Sequence, residues 1–307
     1  MGLPELGADL DRLAVLAGRS WSSSQLPGGL TNVNLRVRTD DGREPVLDLV
    51  VRCSGADAGL LGIDRVAEHL NSCIAADVGI GAPVVEFRPD LGMLVIGFLP
   101  GLALVDGDFT EPGVMARSAA AVRALHAAPR FTGDFDMFER QAAYLATILD
   151  NGFALPVGYT SYAAPWDRVR AALSVSPRPT VPCNNDLLAA NFLDDGSRVW
   201  LIDYEYSGNN DACFELGNTA AECGFTAEMT EAWTGAYFGA PTPADLARVR
   251  LQSLCSCYGW SLWGFIQSAA SPLEFDFWSW GLERFEKARE AFADPGFDRL
   301  LAQAAGG

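Results

Sequence analysis

The pattern of apolar residues changes about one third of the way along this chain of 307 residues. Up to residue 98 it contains short runs typical of β-strands, separated by turn-forming segments such as Asp40-Asp41-Gly42. These runs predict four strands, over 33–39, 46–52, 83–88 and 93–98. From residue 111 onward the apolar residues recur mostly at helical spacing. The change predicts an α+β chain in which a small β-rich lobe, residues 1–100, precedes a larger, mostly helical lobe, residues 101–307.

Helical spacing occurs in both lobes. In the first lobe it predicts helices over 4–17 and 63–77, which end near Gly18 and Gly79. In the second lobe it predicts seven helices, over 113–127, 137–150, 162–174, 212–222, 226–238, 243–270 and 279–293. The segment 191–203 differs, because two short apolar runs surround a turn sequence, and we expect a β-hairpin there.

The composition narrows the classes of function. Hydrophobic residues make up 49% of the chain and charged residues 20%, as in an ordinary globular protein. The formal net charge of −17 repels nucleic acid and anionic membrane surfaces and attracts cations. An acidic surface also keeps a protein soluble, so the charge alone identifies no ligand. The most apolar region near the C-terminus, 251–281, is interrupted by polar and acidic residues, and we expect no membrane insertion.

The cysteines give no sign of a metal or disulfide framework. Their number, seven, is odd, and no Cys-x-x-Cys pair occurs. The two histidines, His69 and His126, lie far in sequence from any pair of cysteines. We therefore expect reduced thiols, mostly small core residues, and no structural zinc. The acidic N-terminal segment does not have the apolar run of a signal peptide, and we expect a cytoplasmic protein.

An acid and several amides are concentrated in residues 183–192, CNNDLLAANF. Asp186 and Asn191 lie five residues apart, and Asp203 follows at the end of the next apolar run. Phosphoryl transfer needs such a set: one carboxylate to accept or orient the proton of the attacking hydroxyl, and a second carboxylate with an amide oxygen to hold Mg²⁺. For one acid alone, a turn would be the better explanation, since Asp and Asn are common in turns. The three residues together favour a kinase.

Residues 184–191 resemble the H-N-D-L-x-x-x-N loop of the choline/ethanolamine kinase family, which shares a bilobal protein-kinase-like fold with aminoglycoside phosphotransferases. Residues 201–207, Leu-Ile-Asp-Tyr-Glu-Tyr-Ser, resemble the motif I-D-[FWY]-E-Y-S that is distinctive of this family. The similarity extends from about residue 20 to about residue 290. It implies that Asp186 orients or deprotonates the substrate hydroxyl and that Asn191 and Asp203 bind Mg²⁺.

The same resemblance implies an ATP site in the first lobe. Residues 26–32, Leu-Pro-Gly-Gly-Leu-Thr-Asn, resemble a G-G-x-T-N loop over the phosphates, where glycines let backbone N–H groups approach an anion. Arg52 would hold the phosphates, and Glu68, in a segment similar to I-D-R-x-x-E, would hold Arg52. Standing alone, these features would be a hairpin turn and two surface charges. The implied ATP-binding residues are Gly28, Gly29, Thr31, Asn32, Arg52, Glu68 and, at the hinge between the lobes, Gly97, Phe98 and Leu99.

Tryptophans are concentrated near the C-terminus, where residues 258–267, YGWSLWGFIQ, resemble the family's substrate motif. A quaternary ammonium cannot donate hydrogen bonds and is held best over aromatic faces with a carboxylate nearby. The resemblance implies a substrate site formed by Tyr206, Glu222, Trp260, Trp263 and Trp280. Tryptophans three residues apart in a helix are also typical of a core, and for Trp263 the two explanations are even. We assign Trp278 to the core.

One departure from the family concerns Asn184, which stands where the family has His. In this fold that His supports the metal-binding segment and transfers no proton, and Asn offers one acceptor and two donors for the same purpose.

The resemblance implies an ATP- and Mg²⁺-dependent kinase that phosphorylates the hydroxyl of choline or ethanolamine. A kinase for an aminoglycoside or amino sugar, and a nucleotide-binding module without turnover, remain as alternatives. We expect ATP and a small cationic alcohol as ligands, no nucleic acid, and we allow for a homodimer.

Overall fold

The computed structural model describes residues 3–29, 31–54 and 59–306. The N-terminal lobe is built on one antiparallel sheet with the strand order β1-β2-β3-β5-β4. Its strands are β1, Trp21–Gln25; β2, Asn32–Thr39; β3, Asp48–Ser54; β4, Val84–Arg88; and β5, Met93–Gly97. The four predicted strands are present within two residues of their expected ends. β1 was not predicted, because its serine-rich sequence shows no apolar alternation and lies on an exposed edge of the sheet.

The predicted N-terminal helix was wrong in its length. Helix α1, Leu3–Leu10, is short, and one 3₁₀ turn follows over Ala14–Leu16. Leu10, Leu13 and Leu16 are nevertheless all buried in one apolar cluster with the sheet. A spacing of three residues also suits the three residues per turn of 3₁₀ geometry, so the apolar pattern does not require a continuous α-helix.

Helix α2, Arg65–Asp77, places an acid beside the sheet. It begins at Asp64, whose side chain accepts hydrogen bonds from the N–H groups of Val66 and Ala67 and so caps the helix. Glu68, in the first turn, is buried. Because β3 lies in the middle of the sheet, Glu68 and Arg52 of β3 meet at the same side of the lobe.

The C-terminal lobe is mostly helical. Its helices in the described residues are α3, Pro112–His126; α4, Met137–Asn151; α5, Ala163–Val175; α6, Ala212–Glu222; α7, Ala227–Phe238; α8, Pro243–Ala270; α9, Phe277–Ala293; and α10, Phe297–Ala304. The seven predicted helices are present within two residues of their expected ends, and α10 was missed. Within the described parts of the chain, no helix is both long enough and apolar enough to cross a membrane. The α+β, bilobal fold class predicted from the sequence is confirmed.

Five short strands in the C-terminal lobe frame two loops. They are β6, Leu102–Ala103; β7, Thr180–Cys183; β8, Phe192–Asp194; β9, Val199–Leu201; and β10, Gly208–Asp211. β8 and β9 form the predicted hairpin, with β6 on the other side of β8, and β7 pairs antiparallel with β10. The loops after β7 and after β9, which carry the acids of interest, are therefore anchored at both ends and lie side by side.

The longest helix, α8, forms the centre of the helical lobe. A hydrogen-bonded box between Thr242 and Asp245 begins it, and most of its 28 residues are buried. Gly217 of α6 packs directly on it: a Cβ at Gly217 would lie 2.5 Å from the backbone nitrogen of Ser253 and 2.6 Å from the carbonyl oxygen of Val249. Only glycine permits this approach, which brings the end of α6 beside the tryptophans of α8.

Gly217→Ala should lower the free energy of unfolding by about 1–3 kcal/mol, because its methyl group would overlap the backbone of α8. Gly235→Ala in α7 is the matched control: nothing lies within 4 Å of a Cβ there, and Ala is favoured over Gly inside a helix by about 0.5–1 kcal/mol. Urea unfolding of both variants measures the difference. Equal stability of the two variants would contradict the backbone contact between α6 and α8.

Candidate active site

The loop after β7 is held by a buried carboxylate. The backbone N–H groups of Asn184 and Asn185 donate to Glu215 at 2.6 and 3.1 Å. Glu215 lies in the first turn of α6 and is completely buried. Asn185 has a φ of 68°, a conformation that Asn adopts more readily than most residues. Glu215 therefore sets the position of the loop that carries Asp186. No role was predicted for Glu215. The one feature of the sequence that could have indicated it is an acidic residue inside an otherwise apolar helical segment.

Three side chains of kinds that can bind a metal ion meet beneath this loop. His126, Cys183 and Glu215 bring a ring nitrogen, a sulfur and a carboxylate oxygen within 4.8 Å of one another. Glu215 is already used by the backbone of the loop, and Nδ1 of His126 lies 2.7 Å from the hydroxyl oxygen of Tyr237. Burial, followed by the charge of Glu215, raises the pKa of the Cys183 thiol well above its usual range, so the sulfur stays protonated. We interpret the group as hydrogen-bonded support for the loop.

The side chain of Asn184 connects this loop to the next one. Its Nδ2 donates to the carbonyl oxygens of Ile202 and Asp203 at 3.0 and 2.9 Å, and its Oδ1 accepts from the N–H of Asp186 at 3.1 Å. All three hydrogen-bonding positions of the amide are thus in use at a fully buried site. Asn184 therefore connects the backbone of Asp186 with that of Ile202 and Asp203.

Asp186 and Asn191 line one cavity with Asp203. Asn191 donates from Nδ2 to the backbone oxygen of Asp186 at 2.8 Å, which fixes its amide across the loop. Burial, together with the negative charges of Asp203, Glu222 and Glu205, raises the pKa of Asp186 well above the usual range of a carboxyl group, and only Arg284 opposes them among the main causes. A carboxylate with a raised pKa is a better proton acceptor than an exposed one.

The charged centre of the site is Arg52. Its guanidinium lies 2.8 Å from Glu68, 2.6 Å from Asp203 and 2.6 Å from Glu205. Arg65, from the first turn of α2, adds contacts of 2.8 Å to Glu68 and 3.2 Å to Glu205. The predicted pairing of Arg52 with Glu68 is present, but Arg52 also holds the acids that follow β9. No role was predicted for Arg65, because its partners come from both lobes.

Glu205 ties the glycine-containing loop to the C-terminal lobe. Its carboxylate accepts hydrogen bonds from the Thr31 hydroxyl and from Nδ2 of Asn32, both at 2.9 Å. The charge of Arg52 and these two hydrogen bonds lower the pKa of Glu205 although burial opposes them, so that Glu205 is ionised. Gly29 and Thr31 line the cavity, whereas Gly28 is exposed outside it.

The aromatic residues predicted for the substrate line the same cavity, whose volume is about 500 Å³. They are Tyr206, Trp260, Trp263 and Trp280. Nε1 of Trp263 donates to the Tyr206 hydroxyl at 3.0 Å, and Nε1 of Trp260 donates to Asn218 at 3.0 Å. These bonds leave the ring faces as the surface offered to a ligand. The two explanations for Trp263 are therefore compatible, since one buried ring contacts both the core and the cavity.

Glu222 also lines the cavity, but it already has a cationic partner. Nε of Arg284 donates to its Oε1 at 3.0 Å, and Nη2 donates to its Oε2. The same guanidinium lies 3.3 Å from the ring centre of Trp280. Arg284 lies outside every sequence motif of the resemblance and was not predicted to belong to the site. Trp278, by contrast, packs on Phe265 with ring centres 4.9 Å apart and does not line the cavity.

The three hinge residues do not line this cavity; Gly97 ends β5, and Phe98 and Leu99 follow it in the connection to β6. The N–H of Gly97 donates to Pro83 at 2.8 Å, and the N–H of Phe98 donates to Asp48 at 2.9 Å. The guanidinium of Arg36 stacks 3.6 Å from the ring centre of Phe98. Two of the backbone donors expected at the hinge are therefore engaged within the N-terminal lobe.

Comparison with known proteins identifies the arrangement. The family described as choline/ethanolamine kinase matches residues 23–234, well over half of the chain. The chain belongs to the choline/ethanolamine kinase family. It is a small-molecule kinase, and the family resemblance noted in the sequence is confirmed.

Several known proteins are similar to this chain in sequence or in structure. A choline/ethanolamine kinase family protein from Mesorhizobium loti has a similar structure, with a TM-score of 0.85 at 33% identity over 100% of both chains. Ethanolamine kinase 2 of Homo sapiens is 34% identical over 136 residues, which span 38% of this chain and only 35% of the human protein. Choline kinase LicA of Streptococcus pneumoniae, solved in complex with AMP, shares the fold with a TM-score of 0.74 at 21% identity, covering 94% of this chain and 97% of that one. Aminoglycoside phosphotransferases share the fold at TM-scores of 0.62 to 0.67.

Asp203→Asn should change how the stability of the kinase depends on pH. Burial raises the pKa of Asp203 to about 6, although the charge of Arg52 opposes it, whereas an unfolded Asp titrates near 3.9. A raised pKa contributes stability that is complete below about pH 4 and is lost as the pH rises through 6. Between about pH 4 and pH 7 the free energy of unfolding of the wild type should fall by about 1–3 kcal/mol relative to that of the variant. Urea unfolding without divalent cations measures this, and a constant difference would contradict the raised pKa.

Proposed function

We propose that this kinase transfers the γ-phosphate of ATP, in the presence of Mg²⁺, to the hydroxyl group of a small cationic amino alcohol, choline or ethanolamine. The observation that carries the proposal is a single cavity lined both by Asp186, Asn191 and Asp203 and by four aromatic side chains. A substrate that fills it would bring a hydroxyl group to the acids while its cation lies on the rings.

Mg²⁺ fits the oxygen donors of this cavity. Asp203 offers a carboxylate and Asn191 an amide oxygen, and hard cations prefer such ligands. The surrounding cluster has three carboxylates, those of Glu68, Asp203 and Glu205, against the guanidinium groups of Arg52 and Arg65. Its excess of negative charge favours a divalent cation. We assign the metal to Asn191 and Asp203, and when bound it would neutralise charge on the phosphates.

We propose that the nucleotide lies between the loop of residues 26–32 and the cavity. Gly29 and Thr31 line the cavity, and Arg52, which does not line it, is paired with Asp203 and Glu205, which do. Arg52 would have to exchange one of these carboxylates for a phosphate oxygen in order to hold the nucleotide directly. Glu68 would keep Arg52 in place, since it binds the guanidinium from the side of α2. For the adenine we propose the connection between β5 and β6. Since the N–H groups of Gly97 and Phe98 are engaged, the backbone contact there would fall to Leu99.

Asp186 would act on the substrate hydroxyl. It lines the cavity, and its carboxylate has no ion pair among the residues that the structure describes. Its raised pKa suits a group that accepts a proton as the hydroxyl oxygen attacks. Its backbone is held by Asn184 and Asn191, so the carboxylate is positioned before substrate arrives.

The charge of the cavity favours a small cation over an aminoglycoside. An aminoglycoside carries several ammonium groups and needs several free carboxylates. Here Asp203 and Glu205 are paired with Arg52, and Glu222 is paired with Arg284. A single ammonium group can instead be held by ring faces, each worth about 1–2 kcal/mol when desolvated.

The contacts of Asn184 argue against a module without turnover. Its three hydrogen bonds keep both loops in place, so the replacement of the family's His does not leave the site unsupported. Asp186, Asn191 and Asp203 are all present in the cavity. We therefore favour a working enzyme.

A substrate panel tests the proposal. Purified protein with ATP and MgCl₂ is incubated with choline, ethanolamine, other amino alcohols and several aminoglycosides, and ADP release is measured. We expect turnover with choline or ethanolamine, absent when the metal is chelated. ADP release with aminoglycosides alone would replace the proposal by the amino-sugar alternative. If none of the acceptors gives ADP release, the nucleotide-binding module without turnover is favoured.

Substitutions at Asp186 and Asn184 should differ sharply in effect. Asp186→Ala should lower kcat by ~10²–10⁴-fold and leave the affinity for Mg·ATP nearly unchanged, because it removes the proton acceptor. Asn184→His restores the family's residue and should change kcat by less than about tenfold, or ~1.4 kcal/mol, since it alters support and not chemistry. Steady-state kinetics with the best amino alcohol of the panel measures both. An Asp186→Ala variant as fast as the wild type would remove Asp186 from the mechanism.

A further inference from the structure

The substrate part of the cavity already contains a cation that belongs to the protein, the guanidinium of Arg284. Arg284 lies in α9, and its partner Glu222 is the last residue of α6. Both guanidinium nitrogens that face the carboxylate donate to it, one to each oxygen. The side chains of Arg284 and Glu222 are only 12% and 7% exposed. Such a buried bidentate pair is hard to open, because either partner alone would be left as an uncompensated charge.

The same guanidinium covers Trp280. Besides stacking 3.3 Å from the ring centre, it donates from Nη1 to the backbone oxygen of Trp280 at 3.3 Å. Trp263 packs on Trp280 at a ring-centre distance of 5.0 Å. An aromatic face beside a carboxylate is the arrangement that binds an alkylammonium, and here Arg284 occupies it. One face of the Trp280 ring and both oxygens of Glu222 are therefore engaged by Arg284.

We propose that Arg284 is a specificity-determining residue, which takes the charge of Glu222 and a face of Trp280 and so withdraws both from the substrate. The substrate's cation then lies on Tyr206, Trp260 and Trp263, and its charge is balanced by Asp186. The site accepts compounds with one cationic group, because a second ammonium directed toward Glu222 would meet Arg284 first. This inference rests on the proposed function, since it states how that site holds its substrate.

The test compares the two members of the pair singly and together, with binding measured by calorimetry without ATP. Glu222→Gln leaves Arg284 uncompensated beside the site and should weaken the binding of choline and ethanolamine by about tenfold or more, which is ~1.4 kcal/mol. Glu222→Gln combined with Arg284→Met removes both charges and should restore Kd to within about threefold of the wild type. If Glu222 instead contacts the substrate directly, the double variant will bind as weakly as Glu222→Gln, and the proposal is then overturned.

Arg284→Met alone provides a second arm, which decides the question even if Glu222→Gln does not fold. It frees the carboxylate of Glu222, so it should tighten binding of ethanolamine by about threefold or more and give measurable binding of 1,4-diaminobutane, a dication that the wild type should reject. Unchanged or weaker binding of both compounds would overturn the proposal. Thermal unfolding and the Kd for Mg·ATP show whether each variant is folded.

Arg289→Met is the matched control. Arg289 lies one and a half turns further along α9, is exposed, pairs with Glu286 at 2.6 Å and does not line the cavity. Its removal should leave every Kd unchanged. If the wild type binds choline and ethanolamine but transfers no phosphate to them, the proposed function is wrong. The Kd values of the Glu222 and Arg284 variants then still test the proposal about Arg284. If the wild type binds neither compound, both proposals are wrong.

Discussion

The guanidinium of Arg52 holds three carboxylates that come from different parts of the chain. Glu68 comes from the helix of the N-terminal lobe, and Asp203 and Glu205 come from the segment between β9 and β10 of the C-terminal lobe. Removing one partner of a buried ion pair costs about 3–5 kcal/mol, because the other charge is left without compensation. Here one cation serves three anions across the boundary between the lobes. Arg52, supported by Arg65, therefore helps to set the relative position of the lobes and the orientation of Asp203.

The residues that would touch a substrate are positioned by residues that do not. Glu215 fixes the backbone before Asp186, Asn184 links that backbone to Asp203, and Glu205 holds Thr31. Each of these bonds involves a buried or half-buried polar group, whose loss would leave a neighbouring donor or acceptor unsatisfied. This explains how Asn184 supports the loop at the position where the family motif given under Sequence analysis has His. The side-chain amide of Asn184 reaches three backbone groups, the oxygens of Ile202 and Asp203 and the N–H of Asp186.

The overall charge of the protein says little about the charge of its cavity. The chain carries a formal charge of −17, yet the acids near the cavity are mostly neutralised by arginines at short distance. What remains for a substrate is a set of aromatic faces together with the carboxylates of Asp186 and of Asp106, which is exposed. A cavity of this kind discriminates by the number and position of positive charges, because an uncompensated charge in a buried site is costly whatever the field of the distant surface.

Periodicity and spacing were sufficient for much of this protein. Apolar residues at helical or strand spacing predicted the two lobes, helix α2, seven helices of the second lobe and four strands, since burial of one face depends on the local sequence alone. The spacing of Asp186, Asn191 and Asp203 predicted a shared site, and the structure brings them into one cavity. The edge strand β1 was missed because its stability comes from pairing with β2, to which its own serines contribute no apolar pattern. Arg65, Glu215 and Arg284 were missed for a related reason. Their partners lie up to 140 residues away in sequence, and a charge acts over a few ångströms of space, so only the tertiary structure decides which carboxylates are paired and which are left for a ligand.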